Sequence, residues 1–256
     1  MEKNKLKRWT ADYGLFILVV VLMLSFWEGV VKKGLIPPFI LPAPSTIWKS
    51  LADNRQLLFG THLPITLEEV LIGFGLSLVG GVILGVAMHF SRILEKVLYP
   101  FLVISQTIPL IAISPIFIMW FGYSIWSKIA VTILTAFFPI VVSTYDGLKS
   151  GGKEYRELLL TMGANRWQIF KKIQVPLALP VFLSGLKMSV VYCVVGATVG
   201  EWLGASAGLG YFSRRMSGNL QADAVFAAVF LLSLMGIVLF LIIGLLEKQL
   251  LKHKLQ

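Results

Sequence analysis

Residues 224–246 read AVFAAVFLLSLMGIVLFLIIGLL, 23 consecutive positions without a charged side chain. A helix rises ~1.5 Å per residue, so this run crosses the ~30 Å hydrocarbon core of a bilayer, which needs about 20 residues. Outward from it, five more apolar segments lie at about 14–31, 68–89, 99–121, 125–145 and 178–201. The 256-residue chain is 57% hydrophobic and 14% charged, with a mean hydropathy of +0.81. A soluble domain would carry about 25% charged residues. The segments are continuous helical runs rather than alternating strands of about ten residues, which excludes an outer-membrane barrel. The expected fold is all-α: one polytopic domain over 1–256 with six transmembrane helices.

The basic residues assign the sides. Segments 1–13, 89–96, 146–177 and 247–256 hold 15 Lys and Arg, against 6 in 32–65 and 202–223. The positive-inside rule then puts both termini in the cytoplasm. The net charge of +10 is accounted for by this topology and by anionic membrane lipids, so no nucleic-acid partner is expected. Lys3, Lys5, Lys7 and Arg8 before the first apolar run resemble a signal peptide, but no small-residue cleavage site follows. Trp27, Glu28, Lys32 and Lys33 stand there instead, and the segment reads as a retained first span. A single cysteine, Cys193, excludes an intrachain disulfide, and His62, His89 and His253 are too scattered to form a metal site. The loops are too short for a second folded domain. No catalytic residue is proposed, and any enzyme belongs to another chain.

Two spans are built for close helix contact. Gly73, Ser77, Gly81 and Gly85 recur every four residues in the second, and Gly185, Ser189, Cys193 and Ala197 in the fifth, which leads to Glu201. Glu201 either reaches water at the interface or anchors an outer gate through polar contacts to GASAGLG (204–210). In the third span, IPLIAISPIFIMWFG (108–122) contains Pro109 and Pro115, each removing a helix hydrogen bond, beside polar Ser105, Gln106 and Thr107. The expectation is one kinked helix lining a pathway with Gln106, Pro109, Pro115 and Glu201. The sixth span has no such features and is expected to face lipid.

GLKSGGKE (147–154) nearly spells a phosphate-binding loop, but Glu154 stands where Ser or Thr must hold Mg²⁺, and an apolar span precedes it instead of a strand. It is read as coincidence. Beyond it, RELLLTMGANRWQIFKKIQVPLALP (156–180) interrupts the apolar pattern. Glu154, Leu158 and Met162 at four-residue spacing predict a short amphipathic helix. Gly163 is placed to end it in a left-handed conformation, and Asn165 with Gln168 resembles a capping box opening a second helix that stops at Pro176. An amphipathic helix on lipid headgroups and a knob docking into a partner protein both fit these residues.

The stretch resembles the cytoplasmic loop of binding-protein-dependent ABC importer permeases: Glu-Ala-Ala, three residues, Gly, nine residues, Ile, one residue, Leu-Pro. Glu157, Gly163, Ile173 and Pro176 stand at those intervals, while Leu158 and Leu159 replace Ala and Val175 replaces Leu. FILPAPSTIWKSL (39–51), FGYSIWSKI (121–129), AFFPIVVSTYDGLKS (136–150) and GEWLGASAGLGYF (200–212) are similar to the nitrate, sulfonate and taurine branch, which includes importers of thiamine pyrimidine precursors. The resemblance implies a type I importer permease in the bacterial cytoplasmic membrane. It implies a homodimer, two cytoplasmic ATP-binding subunits and an extracytoplasmic solute-binding protein, with no cofactor in this chain and ATP and Mg²⁺ on the partner ATPase. Residues 153–175 would be the coupling helices, with Tyr155, Glu157, Leu158, Leu159, Gly163, Ala164, Trp167, Ile173 and Pro176 at the ATPase contact. The alternative, a stand-alone secondary transporter or channel, needs carboxylates at the membrane midplane or an internal repeat. Glu28, Glu68, Glu69 and Glu201 all fall near span ends, and no repeat is evident. No Arg or Lys at a span centre offers to hold nitrate or sulfonate, which favours a neutral thiamine pyrimidine precursor, with an aliphatic sulfonate second.

Overall fold

The computed structural model describes residues 2–150 and 153–252, without the side chains of 2–13, 153, 154, 156 and 252. Twelve α-helices follow in order: α1 Glu2–Lys32, α2 Pro44–Asp53, α3 Arg55–Leu57, α4 Leu63–Phe90, α5 Arg92–Ser105, α6 Leu110–Phe121, α7 Ile125–Ser150, α8 Lys153–Thr161, α9 Arg166–Ile169, α10 Val175–Gly204, α11 Leu209–Gly218 and α12 Ala222–Lys252. Two π-turns, Leu58–His62 and Phe170–Gln174, extend α4 and α10 backwards. Five of the helical stretches are long and apolar enough to cross a membrane, and α5 with α6 makes a sixth crossing if that bent pair is one span.

The small-residue stripes explain how the bundle closes. A Cβ at Gly73 would lie 2.5 Å from Thr132, one at Gly81 2.7 Å from Ile140 and one at Gly85 2.7 Å from Thr144, so α4 and α7 touch backbone to backbone. On the other side of α7, Gly185 meets Ser143, Ser189 Oγ donates to the Ala136 carbonyl at 2.9 Å, and Cys193 and Ala197 are fully buried. The helix α7 is thus clamped between α4 and α10. Its buried hydroxyls bond their own helix, Thr132 to the Lys128 carbonyl and Thr144 to that of Ile140. Leucine at Gly81 would overpack this seam at about 1–3 kcal/mol. Gly81→Leu is therefore expected to lower the melting temperature of the solubilised protein by several degrees or to prevent its accumulation. Gly75→Leu, whose Cβ meets nothing within 4 Å, should change neither.

Three expectations need correction. Segment 99–121 is not one kinked helix: α5 and α6 meet at 103° across Gln106–Pro109. Pro109 sits extended at the start of α6 (φ −60°, ψ 123°), and Ser105 and Thr107 hydroxyls donate to the Leu102 and Ile104 carbonyls at the end of α5. Pro115, like Pro100 in α5, lies within a helix that runs through it unbroken. The sixth span does not only face lipid. Ala224, Ala227, Ala228, Leu231, Leu232 and Met235 of α12 are buried in a core shared with α10 and α11, because alanines let that face approach closely. Finally, the helix beginning at Arg166 does not stop at Pro176. It passes through its π-turn into α10 as one 39-residue stretch that contains Pro176.

Candidate functional site

The loop between α7 and α10 has the predicted joint. Gly163 is left-handed (φ +81°); its N–H donates to the Leu160 carbonyl at 3.1 Å and Ala164 N–H to that of Leu159 at 2.9 Å, a Schellman cap on α8. The capping box is complete: Gln168 N–H donates to Asn165 Oδ1 at 2.8 Å, and Asn165 N–H to Gln168 Oε1 at 2.9 Å. Tyr155, Leu158, Met162 and Trp167 are 57%, 58%, 73% and 62% exposed, and Glu157 is exposed with them. Leu159, Ala164, Ile173 and Pro176 are half-buried, behind that face. The base of the loop is tied to the end of α4: His89 and Gln174 are 3.2 Å apart, and Phe90 packs on Phe170 with ring centroids at 4.9 Å. An apolar knob therefore projects from a braced stem. Gly147–Ser150, the start of the near phosphate-loop, complete the last turn of α7, while Gly151, Gly152 and the side chains of Lys153 and Glu154 lie outside the described residues.

At the far end of α10 a polar node closes the 204–210 loop. Glu201 is 1% exposed and does not reach water. Its Oε1 accepts from Thr66 Oγ1 at 2.6 Å, and its Oε2 from Gly210 N–H at 2.5 Å and Tyr211 N–H at 3.4 Å. Leu209 N–H donates to Thr66 Oγ1 at 2.8 Å and Gly208 N–H to His62 Nδ1 at 3.0 Å. Gly208 takes φ +116°, and a Cβ there would collide with the Glu201 carboxyl. Glu69, 2% exposed, lies beside Glu201, and its Oε2 has no hydrogen-bond partner among the described residues. Lys128, also buried, donates to the Tyr123 and Ser124 carbonyls at 2.9 and 3.0 Å.

The four residues expected along a pathway are not brought together. Gln106 lines a groove of about 450 Å³ between α7 and α10, beside the α5–α6 break. Pro109 and Pro115 are exposed and line neither it nor a second groove of about 640 Å³ between α10 and α12, which is walled by residues such as Val194, Leu232 and Phe240. Glu201 lies in the node above.

Residues 77–252 match the family described as binding-protein-dependent transport system inner membrane component. The chain belongs to this family. It is 50% identical over 234 residues to the formylaminopyrimidine transport permease protein ThiX of Halalkalibacterium halodurans, covering 91% of this chain and 93% of that one. It is 35% identical to the riboflavin transport system permease protein RibX of Chloroflexus aurantiacus, covering 92% and 88%. Its fold resembles a chain of the inward-facing MetNI methionine ABC transporter with a TM-score of 0.67 at 19% identity, over 77% of this chain and 98% of that one. The protein is thus a multi-pass transport subunit of the importer type, and the stand-alone transporter reading falls away.

Sequence reasoning missed most of this permease's node. Glu69, read as lying near a span end, is buried, and so is Lys128. The available signal was the spacing of His62, Thr66 and Glu69, which puts all three on one face of a helix. Nothing local marked their partners, 135 and 143 residues away from Thr66.

Proposed function

We propose that two copies of this permease form the membrane pathway of an importer driven by two cytoplasmic ATP-binding subunits and fed by an extracytoplasmic solute-binding protein. Both termini then face the cytoplasm, in keeping with the 15-to-6 split of basic residues. The chain itself carries no catalytic group in this scheme; ATP and Mg²⁺ act on the partner ATPase. The observation that carries the reading is the 155–167 knob. Four large apolar side chains stay exposed around a rigid, doubly capped joint, which suits a protein groove better than lipid headgroups. ATPase closure would push this knob, and its continuous helix would pass the movement to α10 and, through the His89–Gln174 and Phe90–Phe170 contacts, to α4. Glu201 would hold the 208–211 backbone as part of an outer gate. The solute proposed is a formylaminopyrimidine, supported by the 50% identity to ThiX.

Reconstitution tests this. Proteoliposomes holding the permease, its ATPase and its binding protein are expected to accumulate labelled formylaminopyrimidine only when ATP and the binding protein are both supplied. Accumulation by the permease without its ATPase would sink the proposal.

A further inference from the structure

The groove of about 450 Å³ between α7 and α10 differs from the rest of the apolar span surface. Phe138, Ser143 and Asp146 of α7 face it, with Met188 and Tyr192 of α10 and Gln106 at its mouth. Among the described residues, the Asp146 carboxylate, the Tyr192 hydroxyl and the Gln106 amide make no hydrogen bond or ion pair. Ser143 donates to the Ile140 carbonyl at 3.2 Å and keeps its lone pairs free to accept. Gln106, Asp146 and Tyr192 are exposed in the groove, which leaves their polar groups available to a solute. The nearest cation to Asp146, Lys149, is already engaged by Glu95 at 2.9 Å and Tyr145 at 2.8 Å, and no Lys or Arg lines the groove. The larger groove between α10 and α12 is walled almost entirely by apolar side chains and offers no charge.

We infer that the α7–α10 groove holds the solute in passage and selects a neutral aromatic heterocycle bearing N–H donors, the class to which the formylaminopyrimidine proposed above belongs. A flat ring beds between Phe138, Met188 and Tyr192, surfaces suited to aromatic contact. Its amino hydrogens point to Asp146 and Ser143, and Gln106 can give or accept at the open side. A sulfonate brought to the same place meets the Asp146 carboxylate with no cation on the groove wall to offset the repulsion. The inference rests on the importer reading for its solute, but not for its test.

The test is protection from labelling in the assembled importer. In a Cys193→Ala background, Val142→Cys reports on the groove from α7 and Val181→Cys from α10, so the loss of one variant leaves a second. Formylaminopyrimidine at millimolar concentration should slow maleimide labelling at both positions by about fivefold, while methanesulfonate leaves it unchanged. Adding Asp146→Asn should raise the concentration needed for protection about tenfold, the scale of one lost charge-assisted hydrogen bond. Equal protection by both solutes, by neither, or protection indifferent to Asp146→Asn overturns the inference. Uptake by the parent protein is scored separately: protection without ATP-dependent uptake would leave the groove standing and remove the importer reading.

Discussion

Gly163→Val is expected to leave the permease inserted at normal levels and to abolish ATP-dependent uptake. A Cβ at Gly163 meets nothing within 4 Å, so the substitution disturbs no neighbour. Its cost is the left-handed backbone at φ +81°, about 1–2 kcal/mol for a residue with a side chain, which the loop relieves by rotating α8 against α9. A rotation of that kind is harmless to a helix lying on headgroups and ruinous to a knob that must fit a groove. Glu157→Lys should act at the same surface by reversing an exposed charge, weakening docking rather than folding. A pull-down with the ATPase separates lost binding from lost coupling. Normal uptake by both variants would mean that the 155–167 face has no partner.

The second large effect is expected at the polar node. Glu201→Ala leaves the Gly210 and Tyr211 N–H groups without their acceptor, each costing about 1–3 kcal/mol when buried, and leaves Thr66 Oγ1 only the longer 3.2 Å bond to the His62 carbonyl. Glu201→Gln must turn its amide NH₂ either toward the two backbone donors or toward the Thr66 hydroxyl, so it keeps only one side of the carboxyl's contacts. Both should reduce uptake at least about tenfold at equal abundance, because the 208–211 backbone loses its anchor. Glu69→Gln is expected to behave differently. An amide keeps the volume of Glu69 beside Glu201 and can donate to it, so uptake should stay within about twofold of the parent, whereas Glu69→Ala, which empties that space, should resemble the Glu201 variants. Measured uptake and melting temperature across these four variants decide the matter. If Glu201→Gln transports normally, the node is not part of a gate.

What the sequence made legible was local. The stripe Gly73, Ser77, Gly81, Gly85 announces close helix approach because its period of four is the same in the chain and in space; the helix that lies against it, α7, was not foreseen. The Gly163 joint and the Asn165–Gln168 box were legible for the same reason, since their bonds close within a few residues. The break at Gln106–Pro109 was not, because Pro100 and Pro115 are the same residue in similar apolar company and α5 and α6 run straight through them. The buried face of α12 was hidden in a helix apolar all round, where burial against protein and burial against lipid select similar side chains. Asp146 and Tyr192 became conspicuous only once α7 and α10 were set side by side.

The π-turn at Phe170–Gln174 joins the knob to α10 without an intervening loop, making a single stretch from Arg166 to Gly204. Anyone transplanting this permease's ATPase specificity into a relative should therefore not cut at Pro176, where the sequence invites a boundary. A graft ending there would splice two helical phases that the extra residue of the π-turn keeps in register, turning the recipient's fifth span about its own axis. The exchangeable unit is bounded by stem contacts rather than by the motif: it must carry Phe170 and Gln174 together with their counterparts His89 and Phe90 on α4. Docking specificity and the angular setting of a membrane helix are, in this molecule, inherited together.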